Sequence, residues 1–190
     1  EAGLDHQTAM PDVPGPEALV DAGRPSAELL AKLPQKISQF LQRERPFEFR
    51  PVKPMNYLQP QDSAPVQHLW LKAVDALPDN DTLHHCLLAY VSDYGLLNTA
   101  TLPHGKEYRA GNILMASIDH AMWFHRPFRI DQWLLYAMDS PSASGGRGLA
   151  RGTFYSRDGR LVASTAQEGL IRVMTSPPAL PPAAKATIRP

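Results

Sequence analysis

The second half of the chain constrains the fold most, because it consists of strand-forming segments with no room between breakers for a long helix. Ile113–Phe124 and Leu161–Val173 are rich in β-branched and aromatic residues and are bounded by turn residues. Asp158-Gly159, just before the second of these segments, is typical of a β-hairpin. Upstream of both, Leu83–Asn98 is apolar nearly all round, as is typical of a buried helix. We therefore predict an α+β fold in which a curved antiparallel sheet wraps around one long central helix.

Four further segments complete the predicted sheet, and the sequence divides into three parts. The further strands are Phe47–Val52, Val66–Val74, Asp131–Ser140 and Gly148–Ser156. Residues 1–45 are predicted to be a linker, extended over the proline-rich residues 1–25 and continued by an amphipathic helix that begins at Ser26. Residues 46–175 are predicted to form the folded domain, and the Pro- and Ala-rich residues 176–190 a disordered tail.

Charge and composition exclude several classes of partner. Acidic and basic residues balance at 19 each, so nothing favours nucleic acid or an anionic membrane as the partner. No apolar run reaches the roughly 18 residues of a membrane span, and the start does not resemble a signal peptide. Cys86 is the only cysteine and lies within the predicted buried helix, which excludes an internal disulfide. We therefore expect a cytoplasmic protein in a reducing compartment.

Motifs for metal, phosphate and paired acid–base chemistry are not found. His84 and His85 are adjacent on a helix and cannot share one metal ion, and the strand histidines lack a third ligand at useful spacing. The glycine-rich residues 145–148 are not followed by the helix that a phosphate-binding loop needs. Asp119 and His120 point to opposite faces of a flat strand, which favours structural roles for both.

Three polar residues interrupt otherwise apolar rows. Asp93 shares a helix face with apolar side chains. A carboxylate there loses solvation, which is unfavourable unless a partner compensates for it. Ser117 lies in the row of Ile113 and Met115, and Gln167 in that of Leu161, Ala163 and Thr165. A carboxylate, a hydroxyl and an amide that converge on a dry cleft can hold and activate one water molecule. Spacing alone does not show that they meet, and Asp93 can instead satisfy backbone donors at a helix break before Gly95.

Several motifs carry a resemblance to one family. They are Tyr90–Asp93, Leu102–Gly105, Ser117–Pro127, Arg151-Gly152 and Ala163–Gly169. These closely resemble the acyl-CoA thioesterase II family, over most of Phe47–Val173. The resemblance implies the hotdog fold and the hydrolysis of fatty acyl-CoA thioesters to free acid and CoA, with no metal or organic cofactor. It also implies that Asp93, Ser117 and Gln167 activate the attacking water.

One departure from the family pattern concerns the number of modules. Family members resemble two hotdog modules in one chain, whereas this sequence carries one, and residues 1–16 resemble the exit from a first module. Either the chain is a fragment or the first module was lost. A single module exposes an edge strand and an apolar flank, so we expect self-association or pairing with another hotdog module.

The substrate and the reaction leave alternatives open. CoA phosphates need cations at the cleft mouth; Arg126, Arg147 and Arg151 are candidates, although solvated surface arginines are the alternative interpretation. A hotdog enoyl-thioester hydratase or dehydratase is a rival enzyme, disfavoured because no convincing His–Asp pair is found. A non-catalytic acyl-CoA-binding or structural half-module is the other rival.

Overall fold

The computed structural model describes residues 3–21, 27–32, 35, 38–39, 45–54, 61–109 and 112–174. The strands are β1 (Phe47–Pro51), β2 (Val66–Ala73), β3 (Ile113–Ser117), β4 (Ala121–Phe124), β5 (Leu134–Ser144), β6 (Arg147–Ser156) and β7 (Leu161–Val173). The helices are α1 (Ala27–Lys32), α2 (Asp81–Ser92) and α3 (Gly105–Arg109), with 3-10 helices at Pro16–Ala18 and Leu97–His104.

The strands form one antiparallel sheet in the order β1-β2-β5-β6-β7-β3, and β4 also pairs with β7. The predicted α+β architecture is confirmed, and so is the hairpin between β6 and β7, where Gly159 has a φ of 85°. The division into linker, domain and tail stays a prediction. Residues 176–190, the predicted tail, lie outside the described part of the chain.

The predicted strand Ile113–Phe124 is divided into β3 and β4 by residues 118–120. Ile118 N and Asp119 N both donate to the carbonyl of Glu168, at 2.9 and 3.3 Å, and Asp119 Oδ1 accepts from Glu168 N at 2.7 Å. The alternation assumed for Asp119 and His120 therefore does not apply, because these residues are not part of a ladder. Asp119 has the structural role predicted for it, since its carboxylate holds the backbone of β7.

The central helix is shorter and less buried than the sequence predicts. It begins at the N-cap Asn80, whose Oδ1 accepts from Leu83 N at 3.1 Å. It ends at Ser92, because Gly95 takes the left-handed backbone conformation, with a φ of 77°, that glycine adopts without strain. One face, with Leu88 and Val91, is fully buried against the sheet; the other is open. The prediction that the helix is buried all round was wrong.

The exposed face of α2 also carries the lone thiol. Cys86 is exposed, so the prediction of a buried cysteine was wrong. Tyr90 lies on the same side and is 56% exposed. The helix was predicted to be buried all round, and Cys86 with it, because the spacing of apolar and aromatic residues does not distinguish a helix side packed in the core from one that is exposed.

A bulge at the start of β7 interrupts the alternation of its side chains between the two faces of the sheet. Tyr155 pairs with Leu161 but Phe154 pairs with Ala163, so Val162 is an extra residue. Ala163 lies in the main core between α2 and the sheet, whereas Leu161 packs in a second cluster on the outer face. The predicted row that joined Leu161 to Gln167 was therefore wrong at its first member.

The N-terminal segment, residues 3–21, contains the 3-10 helix Pro16–Ala18 and packs against the domain. Apolar side chains from it pack on the outer cluster: Met10, Val13 and Leu19. Trp70 Nε1 donates to the carbonyl of Pro14 at 2.9 Å. The side chain of Gln7 pairs with the β6–β7 hairpin, where its Oε1 accepts from Leu161 N at 3.0 Å. The segment thus covers the face of the sheet that α2 does not.

Candidate active site

The three polar residues singled out in the sequence meet at one point. Asp93 follows the last residue of α2, Ser117 ends β3, and Gln167 lies in the middle of β7. Gln167 Nε2 donates to Asp93 Oδ1 at 2.5 Å and to Ser117 Oγ at 3.1 Å. The structure therefore brings together side chains that are as many as 74 residues apart. Their catalytic roles stay a prediction.

Hydrogen-bond chemistry fixes the orientation of the Gln167 amide. Its nitrogen carries two hydrogens, and both are used, one by Asp93 and one by Ser117. The opposite orientation would direct the amide oxygen at a carboxylate, where two acceptors repel each other. Gln167 is fully buried, and its Oε1 has no hydrogen-bond partner within the described residues. The buried amide therefore holds Asp93 and Ser117 next to each other through its two N–H groups.

Asp93 and Ser117, by contrast, are exposed to solvent. Ser117 accepts a hydrogen bond from Gln167, so its own hydroxyl proton is free to be donated elsewhere. Only Oδ1 of Asp93 takes part in the bond to Gln167. Asp93 therefore keeps a carboxylate oxygen, and Ser117 a proton, for a small molecule placed above the amide. The alternative role of Asp93 as a local backbone cap has no support, because its carboxylate binds a residue of a distant strand.

Side chains that the sequence analysis did not single out hold the chain around Asp93. Tyr136 Oη donates to the carbonyl of Ser92 at 2.8 Å. On the other side, Gln67 Nε2 donates to the carbonyl of Gly95 at 2.8 Å. Tyr136 is fully buried in β5, and burial raises the pKa of its phenol. Tyr136 also carries a polar group in an apolar row, but a tyrosine in such a row is typical of the core, so the signal is weaker than at Gln167.

The three predicted CoA-binding arginines lie apart from one another. Arg126 Nη1 donates to the carbonyl of Leu161 at 2.8 Å. Arg147 lies 3.5 Å from the carboxylate of Glu168. Arg151 binds both carboxylate oxygens of Asp139 and neighbours Ala150, which faces the core, so it projects from the outer face. The structure does not gather these guanidinium groups at Asp93, and their role stays a prediction.

Two further properties hold for the described part of the chain. It contains no group of three His, Cys, Asp or Glu side chains arranged to hold a metal ion. None of its helices is both long enough and apolar enough to cross a bilayer.

The sequence matches known proteins over most of its length. Residues 37–170 match the sequence model of a family described as acyl-CoA thioesterase. Acyl-coenzyme A thioesterase 8 of Mus musculus is 42% identical over 177 residues, which are 90% of this chain and 55% of that protein. Acyl-CoA thioesterase 2 of Haemophilus influenzae is 40% identical over 172 residues, 90% of this chain and 60% of that one. The chain thus spans a little over half the length of the curated relatives it matches.

Solved structures agree with the family match. The crystal structure of the acyl-CoA thioesterase II TesB2 from Mycobacterium marinum is 38% identical, with a TM-score of 0.70, over 92% of this chain and 60% of that one. A hot dog fold protein of unknown function from Alicyclobacillus acidocaldarius, 17% identical with a TM-score of 0.60 over 91% and 58% of the two chains, shares the fold alone. The predicted hotdog fold is confirmed, and this chain belongs to the acyl-CoA thioesterase family.

Proposed function

We propose that the protein hydrolyses fatty acyl-CoA thioesters to free fatty acid and CoA by direct attack of a water molecule. The observation that carries the proposal is the convergence of Asp93 and Ser117 on the buried amide nitrogen of Gln167. The family membership supplies the substrate class, and the geometry supplies a carboxylate and a hydroxyl within reach of one water.

Each of the three residues has a distinct part in the proposed step. Asp93 accepts a proton from the water as its oxygen bonds to the thioester carbonyl carbon. Ser117 directs its free proton to a lone pair of the same water and so fixes the direction of attack. Gln167 holds both groups in place. The tetrahedral intermediate then breaks its C–S bond, and the departing sulfur takes the proton back from Asp93 to leave as the CoA thiol. The expectation that no metal or organic cofactor takes part belongs to this proposal.

Replacement of Asp93 tests the proposal. CoA release from palmitoyl-CoA is followed with a thiol reagent, and the acid product is identified by mass spectrometry. Asp93→Asn should lower kcat by roughly 10²–10⁴-fold, because a positioned general base contributes that much. Asp158→Asn is the matched control, since it makes the same change at an exposed hairpin turn that asparagine also favours. Near-normal turnover by Asp93→Asn would rule out its role as the base.

The same assay separates the rival functions. A hydratase would convert an enoyl thioester to a hydrated thioester without releasing thiol, and a binding module would retain acyl-CoA without turnover. The hydratase gains no support from the site, because His120 is bonded to Ser92, and Asp119 to the backbone of Glu168, rather than to each other.

The proposal for CoA recognition keeps the three arginines as candidates. Arg147 is the most available, since it is well exposed and its ion pair with Glu168 is the longest of the three contacts. A CoA phosphate would compete with Glu168 for this guanidinium. Arg147→Ala should therefore raise KM for acyl-CoA and leave kcat unchanged, whereas an unchanged KM would remove it from the binding site.

The partner that we propose is a second copy of the chain. One edge of the sheet is formed by β3 and β4, and it exposes large apolar side chains: Leu114, Ile118, Trp123 and Phe124. An exposed apolar edge strand presents unpaired backbone groups for another strand. Association through this edge would also shield Ser117, which lies at the end of β3.

A further inference from the structure

The residue before Asp93 is bound by side chains from two other parts of the chain. Ser92 is fully buried, and its carbonyl accepts from the phenol of Tyr136 at 2.8 Å. Its hydroxyl donates to the carbonyl of Ala89 at 2.8 Å, so the 2.8 Å contact with His120 Nε2 requires the histidine to donate there. We propose that Tyr136 is a positioning residue that places the Asp93 carboxylate against Gln167 by fixing the Ser92 carbonyl. For its kinetic consequence, this inference rests on the proposed function.

The Tyr136 phenol joins the two elements whose side chains meet at the site. It has one proton, which it donates to Ser92 at the end of α2. Its oxygen is then free to accept from Thr165 Oγ1, 3.0 Å away on β7, a shorter contact for the one hydroxyl hydrogen of Thr165 than the 3.4 Å contact with the carbonyl of Gly152. Thr165 is two residues from Gln167 and on the same buried face. The end of α2 and β7 are therefore connected twice, directly by the Asp93–Gln167 bond and indirectly through the Tyr136 phenol.

The position of the phenol is strongly determined by its surroundings. The ring of Tyr136 stacks on Phe154, with centroids 3.9 Å apart and an interplanar angle of 13°. Gly152 makes room for it, because a Cβ there would lie 2.2 Å from Tyr136 Cε2. The raised pKa of the buried phenol keeps its proton in place near neutral pH, so it remains a donor. A donor held this firmly can fix the atom it binds.

A second anchor lies on the far side of Asp93. Gln67 Nε2 donates to the carbonyl of Gly95 at 2.8 Å and to Thr99 Oγ1 at 2.6 Å. With one anchor removed, the other still ties the end of α2 to the sheet, so the fold should survive. The carboxylate would gain freedom to move, however, and a general base displaced by about 1 Å can lose as much as 10²-fold in rate. Loss of the Tyr136 hydroxyl should therefore affect kcat and spare KM.

Tyr136→Phe tests the inference, with Tyr155→Phe as the matched control. Tyr155 is equally buried, and its hydroxyl also makes a 2.8 Å hydrogen bond, but with Thr8 on the outer face of the sheet. Tyr136→Phe should lower kcat for palmitoyl-CoA by about 10-fold or more, with KM within about twofold of the wild type. Tyr155→Phe should leave both constants unchanged. In an Asp93→Asn background Tyr136→Phe should have little further effect, because both changes act on the same step.

A second readout does not depend on activity. In ¹H–¹⁵N spectra, the side-chain amide of Gln167, assigned by its loss in Gln167→Met, reports the bond to Asp93. Tyr136→Phe should move this signal towards its position in Asp93→Asn, and Tyr155→Phe should not. If Tyr136→Phe melts well below Tyr155→Phe, both readouts are taken at a temperature at which the two variants are fully folded.

The outcomes distinguish the inference from the proposed function. If the wild type releases no CoA yet the Gln167 amide responds to Tyr136→Phe, the proposed function fails and the positioning role stands. If the wild type is active and Tyr136→Phe leaves kcat or the amide signal unchanged, the positioning role is overturned. It is equally overturned if both tyrosine variants lose activity to the same extent, because the effect is then one of stability.

Discussion

The amide nitrogen of Gln167 fixes the relative position of Asp93 and Ser117, since it donates one hydrogen to each. The arrangement has a cost, because Oε1 of the same amide is buried without a partner among the described residues. A buried unpaired acceptor of this kind costs about 1–3 kcal/mol of stability. Gln167 is therefore a residue at which function and stability are expected to oppose each other.

Gln167→Met tests this opposition, because methionine has a similar length and no polar atom to leave unpaired. We expect kcat to fall roughly 10–100-fold as Asp93 and Ser117 lose their common donor. The free energy of unfolding should be unchanged or higher, since the unpaired oxygen is removed. Steady-state kinetics and urea unfolding measure the two effects. A variant that loses both activity and stability would show that the amide is mainly a structural contact.

Asp131 determines a part of the acid sensitivity of the fold. Arg129 donates to both of its carboxylate oxygens, at 3.0 and 2.9 Å, and Leu77 N donates to one of them. The hydrogen bonds from Arg129 are the main reason that the pKa of Asp131 is lowered to about 2 from 3.8. Because the folded pKa is the lower one, the stabilisation is present above pH ~4 and is lost as the pH falls towards 2.

Asp131→Asn should therefore be destabilising by about 2 kcal/mol at pH 7, since its pKa falls from 3.8 to about 2 and one pKa unit corresponds to 1.36 kcal/mol. The difference between variant and wild type should shrink between pH 4 and pH 2. Urea unfolding of both proteins across this range measures it. A difference that stays constant with pH would mean that the ionised carboxylate of Asp131 contributes no stability.

Site residues could be predicted from sequence where a polar side chain interrupts an apolar row on one helix or strand. Asp93, Ser117 and Gln167 each stand out as polar groups in apolar rows, and the resemblance assigned their roles. Tyr136 was missed because a tyrosine in the apolar row of a strand is typical of the core, and only the packing of α2 on the sheet brings its phenol to the carbonyl of Ser92. Contacts between distant elements of this kind are not encoded in local periodicity.

At the scale of elements, β6 is shaped to admit a side chain from its neighbour. A Cβ on Gly152 would lie 2.2 Å from Tyr136 Cε2 and 2.7 Å from Thr165 Oγ1. Gly152→Ala should cost about 1–3 kcal/mol of stability, as is typical of overpacking, and should lower kcat because both displaced groups support Asp93 and Gln167. Thermal unfolding and steady-state kinetics measure the two effects, and Gly3→Ala, in open space, is the control. A fully active, equally stable Gly152→Ala would contradict the close packing around Tyr136.

Elements could be predicted from sequence where local turn residues define them. They could not be predicted where contacts with a distant part of the chain set their ends. The hairpin before β7 was predicted correctly, because Asp158-Gly159 specifies it, whereas the alternation assumed at the start of β7 fails at the bulge. The end of α2 was missed, since the apolar spacing continues through the 3-10 helix Leu97–His104. The gap between β3 and β4 depends on the carbonyl of Glu168, which belongs to another strand.

At the scale of the whole molecule, the outer face of the sheet is covered by residues that look like a linker. Residues 3–21 have scattered apolar side chains without helix or strand periodicity, so no local pattern predicts that they pack. They are fixed by long-range bonds, such as that from Trp70 to the carbonyl of Pro14. The edge formed by β3 and β4 is an exposed apolar surface, and it is the one that we propose an intermolecular contact covers.

Self-association through that edge can be tested with a matched pair of charged variants. Trp123 on β4 is 53% exposed and lies at the edge, whereas Leu149 on β6 is 38% exposed and lies within the sheet. Light scattering of the wild type should give at least twice the mass of one chain, because apolar edge strands pair. Trp123→Lys should shift this mass towards the monomer, since a charge at an edge opposes pairing, and Leu149→Lys should not. A monodisperse wild-type monomer would refute the proposed association, and equal dissociation of both variants would remove the edge as its site.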